Sequence, residues 1–274
     1  MLGAALALAL GALSPQTAWA RDWLDLRRAG AAAILADARS SAARQPWRAE
    51  YAALLPASHP LAQGTPLELR LTVVRLPPLP GRPKDSAAAA SQLRPAEGLK
   101  MSRMMVRFDA PAQLKGSGVV ADGTQLWVKM PQGKPAVATP ALLNAALVGL
   151  QLPLQVFALP EIVSGYNYEL EGEFGDSGVI RCKPDYQAPP GVLPGKIGVH
   201  KRWGSWTLVE TDDRDGKRLA LAEWLDLEDR NGIPVPQALR LRPLTGDGAA
   251  LTLKRRSVAV GSGVEAAVSP KLLR

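Results

Sequence analysis

The stretch MSRMMVRFDAPAQLKGSGVVADGTQLWVKMP, from Met101 to Pro131, constrains the chain more than any other. Met104, Val106 and Phe108 alternate with Arg103 and Arg107, while Leu126, Val128 and Met130 alternate with Trp127 and Lys129. A period of two requires strands with two unlike faces. The pattern predicts three of them, over 101–109, 116–121 and 125–130. Asp122 and Gly123 are residue types that tolerate positive φ, so the second and third strands are predicted to form a hairpin. No nucleophile, general base or metal-ligand set lies in this stretch. It predicts an apolar binding surface before a catalytic one.

Strands return from Tyr166 onward in six segments, YNYELEGEF, SGVIRCKP, GKIGVHKRWGSWTLVE, KRLALAEWLDLED, PVPQALRLRPL and AALTLKRRSVAVG. Gly175-Asp176, Asp213 to Gly216, Asn231-Gly232 and Gly246-Asp247-Gly248 separate several of them as turn signals. Short connections between consecutive strands predict an antiparallel meander. Between the two strand regions, Thr139 followed by Pro140 marks a helix start. That helix carries Leu142, Leu143, Leu147, Val148 and Leu150 with Asn144 as almost its only polar side chain. A helix apolar nearly all round must be covered on all sides. Pro153 and Pro160 break the run, so it predicts a helix or pair of helices inside the curve of the sheet, not a membrane span.

Upstream, Asp22 to Ala43 is alanine-rich and predicts a helix capped by Asp22. Trp47 to Leu55 predicts a second, with Trp47, Tyr51 and Leu54 on one stripe and Pro56 at its end. Leu67 to Leu76 reads as the first strand. Residues 77–98, rich in proline and without apolar periodicity, predict a loop that is either a tolerated insertion or a functional flap. Val258 to Arg274 predicts a terminal strand with a loose tail.

With 274 residues, 47% of them hydrophobic, the chain can build one substantial core. Residues 1–20 have the pattern of a secretory signal peptide, with Ala18-Trp19-Ala20 as the cleavage site. A membrane anchor is the alternative, for which the run is short. Arg21, not cysteine, would begin the mature chain, leaving no site for bacterial lipid attachment and predicting a soluble protein. Cys182 is the single cysteine, so no intramolecular disulfide forms; its alternating context predicts a half-buried apolar role. The net charge of +8 either meets anionic headgroups in the envelope or serves solubility; the leader argues against nucleic acid.

His59 and His200 are the only histidines, and neither is spaced with an acid or a metal-ligand partner. No G-x-S-x-G, P-loop or dinucleotide fingerprint occurs. Glu223, Asp226 and Asp229 read as solvated strand ends, with a hydrolase site built from converging acids as the alternative. The seven tryptophans, Trp203, Trp206 and Trp224 among them, serve either interior packing or a lined cavity. In such a cavity each buried methylene of an acyl chain contributes about 0.8 kcal/mol.

The segment VVADGTQLWVKMP resembles the D-G-x-x-L-W-x-x-x-P hairpin of the LolA/LolB-like periplasmic lipoprotein carriers and outer-membrane lipoprotein-sorting proteins, through Asp122, Gly123, Leu126, Trp127 and Pro131. VRFDAP, ATPALL and CKPDYQ resemble further segments of that family in order. The resemblance implies a mainly β fold, an unclosed antiparallel β-barrel wrapping a few α-helices, with a hydrophobic cavity that shields acyl chains. It also implies an arginine that holds the lid helices closed, and Arg107 is its match. Arg107 has the parity opposite to Met104, Val106 and Phe108, a conflict that a bulge near Asp109 to Pro111 would reconcile.

The resulting expectation is a signal peptide over 1–20 and a single LolA-like domain over 21–274, a monomeric periplasmic carrier that performs no chemistry. Met104, Val106, Phe108 and Trp127 would line the sheet side of a vacant cavity, and Leu143, Leu147 and Leu150 the helix side. Its partners would be a lipoprotein or lipid cargo, an inner-membrane donor and an outer-membrane acceptor, with no cofactor, metal or nucleic acid. The alternative is an RseB-like sensor or adaptor that binds a protein partner, marked by a filled interior and an apolar patch outside the sheet.

Overall fold

The computed structural model describes residues 23–42, 44–59, 61–77, 103–150, 152–161, 165–186, 188–243, 249–264, 268 and 270–273. The expected signal peptide, and all of the 77–98 loop except Pro77, lie outside them.

Among the described residues, strands β1 (Trp47–Leu55), β2 (Leu67–Leu76), β3 (Arg103–Ala110), β4 (Gly118–Asp122), β5 (Leu126–Lys129) and β6 (Ala136–Val137) form the first half of the sheet. The second half is β7 (Tyr166–Phe174), β8 (Ser177–Pro184), β9 (Gly195–His200), β10 (Trp206–Asp212), β11 (Arg218–Arg230), β12 (Ile233–Arg242) and β13 (Leu251–Val260). Their order across the sheet is β6-β5-β4-β3-β2-β1-β13-β12-β11-β10-β9-β8-β7. All pairings are antiparallel. Two meanders are thus fused where β1 pairs with β13, and β6 and β7 stay apart as edges, so the sheet is not closed into a barrel. Helices α3 (Pro140–Leu150) and α4 (Leu154–Ala158), with the 3-10 turn Leu159–Glu161, lie in the link between those edges.

The alternation read in the sequence sets the two faces. Leu69, Leu71 and Val73 of β2, Met104, Val106 and Phe108 of β3, and Leu126 and Val128 of β5 share one buried cluster with α3 and α4. The same cluster takes Ile34, Leu35 and Ala38 of helix α2 (Ala31–Ala42). The opposite face buries Val74, Leu76, Met105 and Val120 in a smaller cluster.

The predicted hairpin is present. Asp122 Oδ1 accepts from the backbone N–H groups of Thr124 and Gln125, both at 2.9 Å, and Oδ2 accepts from Trp127 Nε1 at 2.8 Å. Gly118 opens β4 at φ +154°, where a Cβ would stand 2.0 Å from the Val106 carbonyl oxygen; only glycine allows β4 so close to β3. The predicted cap also forms, with Thr139 Oγ1 accepting from the Leu142 N–H at 3.2 Å.

Four expectations are corrected. Trp47–Leu55 is not a helix but the central strand β1, paired along its length to β2 and to β13. Its alanines, leucine and glutamate favour helix only weakly, and two flanking strands override that preference. The N-terminal helix is two, α1 (Trp23–Ala29) and α2, broken at Gly30 with φ +94°. GKIGVHKRWGSWTLVE is a hairpin, β9 and β10, because Gly204 at φ +56° turns the chain. The C-terminal tail is anchored, since Val268 and Leu273 are buried against Met105 and Val120 on the outer face.

Candidate ligand-binding site

Five of the predicted cavity residues come together. Met104, Val106 and Phe108 on β3 and Leu143 and Leu147 on α3 are all buried in the inner cluster. They do not enclose the vacant space expected of them. Leu154, Val156, Phe157 and Leu159 of the α4 segment fill it, and Phe157 sets its ring edge-on to Trp224 of β11, 6.3 Å between centroids.

Trp127 is not among them. Met104 pairs with Ala121, and Ala121 with Leu126, which puts Leu126 inward and its neighbour Trp127 outward. There Trp127 packs at the margin of the outer cluster. The Leu150 side chain lies outside the described residues. Arg107 faces outward too, its Nε 2.7 Å from Asp109 Oδ1, an oxygen pair further engaged by Thr72 Oγ1. A register shift does occur beside Asp109, where Arg70 pairs with Ala110 and Leu71 with Phe108. It follows Arg107 in the chain, so it leaves that side chain outward.

A different arginine reaches the link. In LELRLTVVRL, Arg75 has the parity of Leu67, Leu69, Leu71 and Val73, so β2 delivers it to the inner face. Arg75 is 4% exposed and its Nη1 stands 3.8 Å from Oε1 of Glu161, which is 1% exposed. Its Nη2 donates to Met104 Sδ at 3.6 Å, and its Cζ lies 5.9 Å from the ring centre of Trp206. From the other side, buried Arg39 of α2 donates through Nε to the Pro160 carbonyl at 2.7 Å. Two buried cations thus grip Leu159–Glu161. Burial, opposed by Glu161 and aided by the Arg39 charge, lowers the pKa of Arg75. The sequence signal was available: an arginine in the apolar register of a strand, and another four residues after Leu35 on the buried stripe of α2.

Beside this grip is a cleft of about 300 Å³, counting the solvent at its mouth. Leu143, Leu159, Tyr166 and Val192 give it apolar walls, and Asn144, Gln155 and Thr211 give it polar ones. These polar groups form one chain. Asn144 Nδ2 donates to the Gly191 carbonyl at 3.0 Å, Gln155 Nε2 donates to Asn144 Oδ1, and Thr211 Oγ1 donates to Gln155 Oε1 at 3.3 Å. The chain pins α3 to α4 and α4 to β10. The space it encloses is only about 20 Å³, room for a water-sized group, so the closed form offers no berth for an acyl chain.

No family model matches the chain, and no curated protein matches it in sequence. Solved structures do. A DUF1329 family protein from Desulfovibrio piger superposes with a TM-score of 0.55 at 13% identity, over 87% of this chain and 94% of that one. A putative outer membrane lipoprotein-sorting protein domain from Vibrio parahaemolyticus gives 0.53 at 13% identity, over 90% and 99%. The chain shares the fold of these two proteins. A LolA superfamily protein from Nitrosomonas europaea overlaps more loosely, at 0.44 and 16% identity over 84% and 92%. At these identities the likeness is one of fold.

Within this fold Cys182, His200 and His59 have structural surroundings. Cys182 is fully buried and its thiol is pushed up to about 12 by that burial. His200 stacks on Trp203 at 4.8 Å and accepts through Nδ1 from the Arg202 and Trp203 N–H groups. His59 accepts from the Leu61 N–H at 3.1 Å. Among the described residues no three His, Cys, Asp or Glu side chains are grouped to hold a metal, and no helix is long and apolar enough to cross a membrane.

Proposed function

We propose that this protein is a periplasmic carrier that shields the acyl chain of an amphiphile, seen here closed and with its binding face covered by its own chain. The observation that carries the reading is what covers the face. The inner face of the sheet is apolar along β2, β3 and β5, yet its cover is a short link held at defined polar points, Arg75 to Glu161, Arg39 to Pro160 and Thr211 to Gln155. A permanent core has no need of buried ion pairs, which add little to stability. A detachable cover does, because they fix one closed position.

The energetics set what can open it. Exposing Leu154, Val156, Phe157 and Leu159 costs about 6–12 kcal/mol, at roughly 1.5–3 kcal/mol for each side chain. An acyl chain of about 12 to 14 methylenes in their place returns roughly 10 kcal/mol, at about 0.8 kcal/mol per methylene. A long-chain amphiphile therefore offsets the opening, and a short one does not. The direct test is native mass spectrometry of the protein purified from membranes, with uptake of a fluorescent fatty acid. One bound acyl chain supports the carrier; no lipid by either method refutes it.

A second reading, an envelope adaptor that binds a protein, is favoured by the filled interior. Capture of one stoichiometric protein without lipid would select it.

A further inference from the structure

The buried ion cluster is unbalanced. Arg39 and Arg75 bring two positive charges, Glu161 one negative charge, and all three side chains are at most 4% exposed. Nη1 of Arg75 and Nε1 of Trp206 have no hydrogen-bond partner among the described residues, and the Arg39 guanidinium, which also lies against the Tyr168 hydroxyl, keeps donors to spare. Each is a donor, and donors buried without an acceptor are costly. At 3.8 Å the nearest Arg75–Glu161 approach is an ion pair without a hydrogen bond. An arginine fork prefers to meet a carboxylate or phosphate through two short parallel bonds. The cluster thus has spare donors and, among these three side chains, one more positive than negative charge, immediately beside the cleft, to which Leu159 of the gripped segment gives a wall.

From this we infer that Arg75 and Arg39 form the headgroup site of the carrier, selecting an amphiphile with one acyl chain and an anionic head, and that Glu161 occupies the place of that head in the closed form. When the 159–161 turn lifts, Glu161 leaves with it, while Arg39 on α2 and Arg75 on β2 stay on elements that do not belong to the link. The ligand's anion then meets two guanidinium groups and the Trp206 N–H, and its chain covers the face that α4 leaves. Head and cover compete for the same cations, so the ligand opens the protein only if it carries a charge that can replace Glu161. This inference rests on the carrier reading and adds the class of cargo.

The test uses three ligands with the same tail, tetradecanoate, tetradecyl phosphate and tetradecanol, in displacement of a neutral fluorescent probe from the whole protein. The unmodified protein is expected to bind at least one anionic ligand about tenfold more tightly than the alcohol; which anion wins tells carboxylate from phosphate. Glu161→Gln removes the competitor and also loosens the cover, so all three ligands are expected to tighten, the anionic ones by about a further tenfold over the alcohol. Arg39→Gln is expected to narrow it, with the unfolding midpoint recorded to confirm the fold. Equal affinity for acid, phosphate and alcohol in the unmodified protein overturns the headgroup site and leaves the carrier standing. Equal tightening of all three by Glu161→Gln also overturns it, since that is loosening of the cover alone. Binding of none of the three removes the carrier reading and the headgroup site with it.

Discussion

Arg75 on β2 and Glu161 at the end of the inter-edge link face each other at 3.8 Å, both buried, across the inner face of an open sheet. Removing one partner strands the other charge in the interior. Arg75→Met is therefore expected to cost about 3–5 kcal/mol, and the double replacement Arg75→Met with Glu161→Met to restore most of it. Urea unfolding of the two single variants and the double closes the cycle. Additive losses would mean that the two side chains do not interact.

Chain length is a separate check. Fatty acids of about 8 carbons return roughly 6 kcal/mol, only the low end of the cost of opening, whereas those of about 14 carbons return roughly 11 kcal/mol and approach its upper end. Affinity should rise steeply between these lengths in a competition assay. A flat dependence would mean that the tail is not what replaces the α4 side chains.

How much of this was legible is decided by parity. The inner and outer faces of β2, β3 and β5 follow directly from alternation, and so does the Asp122-Gly123 turn. The same rule places Arg75 inward and both Arg107 and Trp127 outward, provided register is carried across from Met104 through Ala121 to Leu126. The family likeness of the hairpin pointed to Arg107, which parity places outward. What parity cannot show is β1, where Trp47–Leu55 has both a helical stripe and a strand alternation and only pairing to β2 and β13 decides between them. Nor can it show that Phe157 fills the interior, because that depends on where the link is laid.

Asp122 ties the hairpin. Partial burial works to raise its pKa, but hydrogen bonds from Thr124, Gln125 and Trp127 outweigh it and hold the pKa below the usual value. A depressed carboxylate stabilises the fold above its unfolded pKa and loses that contribution as pH falls through the folded one. Asp122→Ala should cost about 1–2 kcal/mol at neutral pH, with the difference from the unmodified protein shrinking below about pH 4. Thermal unfolding across that range measures it, and a difference independent of pH would contradict it.

Asp212 behaves in the opposite way. Burial first, then the neighbouring Glu210, raise it to about 6. The folded protein thus holds this proton more tightly than the unfolded chain, so stability present at low pH is lost as pH rises from about 4 to 6. At full weight the shift is about 3 kcal/mol; partial solvent access reduces it to about 1 kcal/mol. Asp212→Asn, whose amide can still donate to Glu210, should stabilise by that amount at about pH 8 and not at about pH 3.5. Equal effects at both would contradict the assignment.

Leu273 is fully buried on the outer face, and Leu273→Ala should cost about 2–4 kcal/mol. Near-neutrality in urea unfolding would mean that the tail does not seal Met105 and Val120.

Native-state hydrogen exchange with and without tetradecanoate tests the central claim, that residues 140–161 form a removable cover. The expected result is a ligand-dependent change confined to that segment, with β2 and β11 unaltered. Exchange in 154–161 as slow as in β2, and unmoved by the fatty acid, would show the cover to be permanent core.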